Sequence, residues 1–429
     1  YEWGMPHKKE KYKMKKVITI MLIALMAVTL VFAGGANEAK SSVKQLDFFW
    51  WTDGEEGNAM QALINEYQQS HPDIQINLIE VPFSDMDNKL MMAVSGGEAP
   101  ALTRTTEGIS NKLYEAYVDI GQYTDAEAFK KQFISSIESY YVKDGKIISA
   151  PADVTANGLI VNKTMFDKAG VKLPTGEDDI WTWDEFKEAL KKVKEANNLE
   201  YALAIDNASH RWSTMLYEFG GSIANENGGN LSSPNSLRCI EYTKALVDEG
   251  IMNPTPWITF EDAGILFRSQ LIAAQVCGTW CLEPYHTNIT EFEWQATYMP
   301  VDVKRSSTPG GKQFAALQGS GVEKEAVEFI LWVTAKEQNQ RYCEQSLFVS
   351  PRLDCAELNY PYCSEDFAIF ANELANTGSE GAFDWGYPGL SGAYGADLTY
   401  DFPKVFSGEM TAAQFAAKID KEIDDFLGK

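Results

Sequence analysis

Histidine and basic charge are both scarce in this chain. Its 429 residues hold four His, and 37 Lys and Arg stand against 61 Asp and Glu, a formal net charge of −24. So large an acidic excess argues against nucleic acid and anionic lipid as partners, because both need a basic face. The common catalytic signatures are missing: there is no Gly-x-Ser-x-Gly elbow, no Gly-x-x-x-x-Gly-Lys phosphate loop and no His-Glu-x-x-His zinc helix. Gly319-Ser320-Gly321 runs into Val-Glu-Lys and fails the dinucleotide fingerprint. A glycosidase needs only two carboxylates about 5–10 Å apart. Glu55 with Glu56, or Asp178 with Asp179, could be offered, but adjacent acids more often mark a solvated loop or a helix start. No fixed-period repeat and no low-complexity tract occurs, and 45% hydrophobic residues exclude disorder for the bulk of the chain.

Cysteine is absent before Cys239; the others are Cys277, Cys281, Cys343, Cys355 and Cys363. An even count permits disulfides in an exported chain, but sequence assigns no pairs. Cys277, Cys281 and His286 hint at zinc, yet a fourth ligand is missing and Trp280 interrupts the set. No metal and no cofactor is expected.

Residues 14–33, MKKVITIMLIALMAVTLVFA, have a basic start, an uncharged apolar run and a small-residue end at Ala33. This reads as a secretory signal peptide. Export to the periplasm or cell exterior follows, and no cysteine after the run offers a lipid anchor. Cleavage leaves roughly 400 residues, enough for two packed domains.

The remaining chain alternates strand and helix signals. LDFFWW (46–51) is apolar on both faces, as a strand covered on both sides must be. Met60, Leu63, Ile64 and Tyr67 form a helical stripe, and Ile74, Ile76 and Leu78 alternate as a strand. Thr182 and Glu185 make a capping box ahead of Phe186, Ala189, Leu190 and Val193. Val322, Ala326, Phe329, Ile330 and Val333 form another stripe, and Thr411 with Gln414 opens the last helix. The fold class is α/β, two lobes built from βαβ units.

Aromatic residues reach 12%, and several sit in polar, Gly-rich contexts: Gly278-Thr279-Trp280, Ser209-His210-Arg211-Trp212 and Phe383-Asp384-Trp385-Gly386-Tyr387. A pyranose presents apolar C–H faces and a polar rim, so flat rings among carboxylates, amides and Arg suit a sugar.

The opening from LDFFWW through SGGEAPAL resembles that of the bacterial extracellular solute-binding proteins of ABC transporters, family 1, relatives of maltose-binding protein. KDGKIISAPADVTANGLIVNKTMFDKAGVKLP (143–174) with WTWDEFKEALKKVK (181–194) resembles their strongest signature, with Val161 where Tyr is commoner. RSQLIAAQVCGTW (268–280), TPGGKQFAAL (308–317) and KEAVEFILWVTAKEQNQ (324–340) resemble later segments. Pro100-Ala101 stands where the family has Pro-Asp.

The resemblance implies a two-lobed periplasmic-binding-protein fold with a ligand cleft between lobes. Residues 43–153 and 312–368 would form one lobe, 154–311 and 369–429 the other. It implies a monomeric receptor that delivers a sugar or oligosaccharide to membrane permease subunits and their ATPase, not an enzyme. A polyamine or phosphorylated polyol is the alternative cargo, with Arg211, Arg268 and Arg305 as candidates to converge on a phosphate. An exported carbohydrate-active enzyme and an adhesin or sensor are the other readings. Carried over residue by residue, Asp53, Glu55, Glu56, Arg104 and Glu107 would edge the cleft from the first lobe, with Thr105 and Thr106 beside them. Residues 152–158 would be a polar hinge, with Asp153 and Asn157 facing ligand. His210, Trp212 and Trp280 would serve from the second lobe, Trp280 as stacking platform. Gly310 and Gly311 would let backbone amides approach, and Trp385, Tyr387 and Tyr394 would cap the cleft.

Overall fold

The computed structural model describes residues 43–429 apart from Asp53, Ala356, Glu357 and Ser379. The expected signal peptide, residues 14–33, lies outside the described residues. Gln45–Lys429 forms one compact unit.

Eight strands make the central sheet: β1 (Lys44–Trp50), β2 (Ile74–Glu80), β3 (Leu102–Thr106), β4 (Ala150–Asn162), β5 (Leu203–Ile205), β6 (Ala274–Gly278), β7 (Trp294–Thr297) and β8 (Pro309–Ala316). Their order is β2-β1-β3-β8-β4-β6-β5, with β7 also on β4. β1 and β3 run parallel, with Phe48 opposite Leu102. The helix Glu56–Ser70 crosses from β1 to β2 and buries Met60, Leu63, Ile64 and Tyr67, the stripe read from the sequence.

β4 ties the sheet together. Its first half pairs antiparallel with β8, Ala156 opposite Pro309 and Ala150 opposite Phe314. Its second half lies between β6, with Leu159 opposite Val276, and β7, with Ile160 opposite Ala296. The polar hinge expected at 152–158 is therefore regular strand, and every one of its 13 residues is buried. Extended backbone is affordable here because Asn157 and Asp153 find partners. Asn157 Nδ2 donates to the His210 carbonyl at 2.8 Å and to Thr214 Oγ1 at 3.1 Å. Asp153 Oδ1 accepts from the Lys312 amide at 3.2 Å.

The helix after β4 is Lys163–Lys168, capped by Asn162, whose Oδ1 accepts from the Met165 amide at 3.0 Å. Both capping boxes formed: Thr182 with Glu185 opens Trp183–Asn197, and Thr411 with Gln414 opens Ala412–Leu427. The core is strongly aromatic. Phe48 meets Trp50, Phe314 and Phe329 edge-on, with centroids 5.2, 5.6 and 6.3 Å away, a favoured geometry for the ring quadrupoles. All six cysteines are free thiols, and five are buried. Among the described residues no helix is long and apolar enough to cross a membrane.

Candidate functional site: an aromatic cavity over two strands

A cavity of about 380 Å³ opens where β4 and β8 run side by side. Thr155 and Pro309–Lys312 form its floor. The floor needs glycine. A Cβ on Gly310 would stand 2.6 Å from Thr155 Oγ1, and one on Gly311, at φ +151°, 2.4 Å from the Asp153 carbonyl oxygen.

One wall comes from Trp51, Phe83 and Thr106–Gly108. Trp51 rests on a buried cation. The Arg104 guanidinium lies 4.8 Å from the Trp50 ring and 4.5 Å from the Trp51 ring. Its Nη1 donates to the Trp51 carbonyl and, at 2.9 Å, to Glu56 Oε1. Glu56 and Arg104 are both fully buried, so they form a post beneath the wall and do not edge the cavity. Glu107 does line it. Burial pushes its carboxyl up to about 8 against the opposing pull of Lys143, and Asn111 donates to it.

His210 and Arg211, in the first turn of the helix Ser209–Glu218, form the facing wall with Trp280. His210 Nε2 lies 3.2 Å from the Pro309 carbonyl and Nδ1 3.1 Å from Asn157 Nδ2. A carbonyl only accepts and an amide NH₂ only donates, so the ring is neutral with its proton on Nε2. Burial, aided by the Arg211 charge, pushes its pKa down to about 3. Trp280 folds back over Gly278, where a Cβ would stand 2.0 Å from the ring. Its indole is not bare: the Arg211 guanidinium lies 4.4 Å over it.

Tyr140, Trp385 and Ser391 complete the lining. Trp385 meets His210 edge-on at 5.0 Å, and its Nε1 donates to Tyr217 Oη at 2.9 Å. Tyr217 donates in turn to Asp384 Oδ2 at 2.8 Å, and Asp384 accepts from the Ile223 and Ala224 amides at 2.9 and 2.7 Å. This fully satisfied chain holds Trp385 in place.

Burial pushes the Asp384 carboxyl up to about 7. An acid with a raised folded pKa stabilises the fold fully below its unfolded value, about 3.9, and that contribution is lost as pH rises through the folded value. Asp384→Asn should therefore flatten the decline in stability between pH 5 and 7.5 by about 2 kcal/mol. Urea unfolding of both proteins at the two pH values measures this; equal slopes would contradict it.

The structure thus gathers Glu107, His210, Trp280, Gly310, Gly311 and Trp385 around one cavity. Asp153 and Asn157 share a face of β4 with Thr155 but do not line the cavity, because Lys312 and His210, which do, lie over them. Thr105 is buried, its hydroxyl 3.0 Å from Ser110 Oγ. Glu55 is on the surface, accepting from Asn58 Nδ2 at 2.7 Å. Asp53 lies outside the described residues. Trp212 is in the core, donating to Thr243 Oγ1 at 3.0 Å and packed 4.8 Å from Phe402. Two residues along a helix turn the side chain by about 200°, which takes Trp212 to the face opposite His210. Tyr394 is fully buried, and Tyr387 packs away from the cavity against Phe383 and Phe426.

Trp51, Phe83, Tyr140, Thr155 and Lys312 line the cavity without having been chosen from the sequence, and Arg211, offered there only for a phosphate, joins them. Lys312 follows the Gly310-Gly311 pair and Arg211 adjoins His210, and those neighbours were the signal. The three candidate arginines do not converge. Arg268 lies over Tyr285, and Arg305 pairs with Glu177 at 3.3 Å and Glu373 at 3.1 Å. His286 stacks on Tyr362 with centroids 4.1 Å apart, and among the described residues no His, Cys, Asp and Glu cluster is arranged to hold a metal.

Comparison with known proteins supplies the frame. An arabinooligosaccharide-binding protein of Bacillus subtilis is 25% identical over 252 residues, 57% of each chain, so this sequence spans little more than half of that relative. A multiple sugar-binding protein of Streptococcus mutans is 23% identical over 359 residues, covering 77% of this chain and 81% of that one. Among solved structures, the GacH receptor of Streptomyces glaucescens, determined unliganded and with acarbose, superposes with a TM-score of 0.75 at 19% identity, covering 90% of this chain and 98% of that one. An ABC substrate-binding protein of Listeria monocytogenes in complex with cycloalternan gives 0.75 at 19% identity, with 90% and 99% covered. These likenesses show the two-lobed fold of the periplasmic binding proteins. The family model for bacterial extracellular solute-binding proteins matches residues 51–340, more than half of the sequence, and the chain belongs to that family.

Proposed function

We propose that this protein is the exported receptor of an ABC importer and that it binds a sugar or short oligosaccharide in the cavity over β4 and β8. One observation carries this. Five rings, Trp51, Phe83, Tyr140, Trp280 and Trp385, share a cavity of about 380 Å³ with Thr155, Glu107, His210, Arg211 and Lys312. Flat apolar faces beside a few convergent donors and acceptors match a saccharide, and the volume lies within the range of small-molecule sites. The relatives named for sugars support the same cargo class.

In this reading residues 43–153 with 312–363, and 154–311 with 364–429, form the two lobes, the last boundary falling earlier than the 368/369 expected from the sequence. β4 and β8 are the crossings, since β4 passes from one half of the sheet to the other. The third crossing sits before Ser364, because the helix Ser364–Ala375 packs on the second half: Asp366 accepts from the Ala296 amide at 2.7 Å and Glu373 from the Met299 amide at 3.0 Å. Ligand favours the closed arrangement only through contacts that the open one lacks. The closed form then delivers cargo to permease subunits.

The role is capture, not catalysis. Among the described residues lining the cavity, Glu107 is the one carboxylate, and glycoside hydrolysis ordinarily uses two. In this reading the protein acts outside the cytoplasm as a monomer.

Thermal unfolding against a panel of mono- and oligosaccharides, polyamines and phosphorylated polyols tests the reading. A ligand at a hundred times its Kd adds about 2.7 kcal/mol of stability. A clear shift within one sugar class supports the receptor. A shift from polyamines alone would overturn the cargo, and no shift from any of them would overturn the receptor.

A further inference from the structure

One wall of the cavity collects positive features. The helix Ser209–Glu218 begins there, and its N-cap is Ala208, which brings no side chain to accept from the first-turn amides. The positive end of the helix dipole is therefore not offset by a capping oxygen. Arg211 sits in this first turn with its guanidinium 4.4 Å over the Trp280 ring. Its Nε is buried and has no hydrogen-bond partner, and the Asp206 carboxylate stands 3.9 Å from it, too far for a hydrogen bond. Lys312 adds a second cation from the floor.

The acidic groups nearby do not cancel this wall. Asp153 and Asp206 lie behind the lining, 4.0 Å from the Lys312 ammonium and 3.9 Å from Arg211 respectively. Burial raises the Glu107 carboxyl above the usual carboxylate range against the pull of Lys143, which disfavours a negative charge there. His210 is neutral and adds no charge.

We propose that the cargo is an acidic saccharide whose carboxylate is gripped by the Arg211 fork, with Trp280 supporting the guanidinium. This rests on the receptor reading above and names the class of sugar. A guanidinium offers paired donors that match a carboxylate in its own plane. Asp153 stands 4.0 Å from Lys312 and Asp206 3.9 Å from Arg211, so each cation is partly offset from behind. The attraction that remains suits the single charge of a uronate better than the double charge of a phosphate ester. The sugar ring itself rests against Trp51 and Phe83, and Phe83 is 55% exposed.

Isothermal titration of the full chain with matched uronate and neutral oligomers of galactose, glucose and mannose, and with the 6-phosphates of the same sugars, tests this. At least one uronate oligomer should bind about 10-fold or more tighter than its neutral counterpart, with the preference shrinking as ionic strength rises. Arg211→Gln should weaken uronate binding by about 10- to 100-fold and weaken neutral-sugar binding clearly less, so that the uronate preference collapses. Arg211→Lys, which keeps the charge without the fork, should fall between. Unchanged melting temperatures would show that both variants fold. Neutral oligomers binding as tightly as uronates, or uronate binding indifferent to Arg211→Gln, would overturn the inference and leave the receptor standing. Preference for the 6-phosphates would overturn the carboxylate assignment. Binding of none of these sugars would overturn the receptor reading as well.

Discussion

Trp280→Ala is expected to weaken ligand binding by about 30- to 100-fold, a loss of about 2–3 kcal/mol, while changing stability by less than about 1 kcal/mol. The two effects separate because of where the ring sits. Trp280 is only partly buried and lines the cavity, so the core loses little when it is truncated. The wall loses its apolar surface and also the platform on which Arg211 lies, 4.4 Å away. Arg211 then regains rotamer freedom that ligand binding must remove again. Trp280→Phe should recover most of the affinity, since a smaller ring still supports a guanidinium. Because ring and guanidinium act as one surface, combining Trp280→Ala with Arg211→Gln should cost clearly less than the sum of the single losses. Titration of the four proteins with one ligand measures this, and strict additivity would contradict a shared surface.

The second large effect concerns Glu56. Glu56→Ala should destabilise the protein by about 3–5 kcal/mol. Arg104 is fully buried between Trp50 and Trp51, and Glu56 Oε1 accepts from its Nη1 at 2.9 Å. Removing the carboxylate leaves a guanidinium in a low-dielectric site with less compensation, although Asp153 remains near enough to feel its charge. Gly54 also loses an acceptor, because its amide donates to Glu56 Oε2 at 2.8 Å. Replacing both partners is a different experiment. Glu56→Leu with Arg104→Met removes the desolvation cost together with the attraction and should lie within about 1–2 kcal/mol of the parent. Urea unfolding of the single and double variants compares them; a double variant as unstable as Glu56→Ala would show that the residues matter for packing and not as an ion pair.

Much of the fold could be read directly from local pattern. The doubly apolar run at 46–51 is a covered strand, the stripe from Met60 to Tyr67 faces the core, and the boxes at Thr182 and Thr411 start their helices. These features depend on neighbours within a few residues. The site was harder to read because its residues depend on helix phase and on partners far along the chain. Trp212 and His210 share one short polar motif, yet one lies in the core and the other in the cavity. Polar residues at 152–158 suggested an irregular segment, but Asn157 finds its partners at His210 and Thr214 and Asp153 at Lys312, which makes a buried strand tolerable. Arg104 and Glu56 look like surface charges until the sheet brings them together. Lys312 and Arg211 have long side chains whose direction no spacing rule supplies. Conversely, Gly310 and Gly311 announced close approach, and each lies where a Cβ would collide.

The central claim is that the cavity over β4 and β8 captures a saccharide without altering it. Calorimetric titration with oligosaccharides, followed by assay of the same samples for new reducing ends, tests it most directly. The account predicts saturable binding of one ligand per chain, weakened by Trp280→Ala, with the sugar recovered intact. Binding that survives Trp280→Ala unchanged would place the site elsewhere, and release of reducing ends would contradict a receptor.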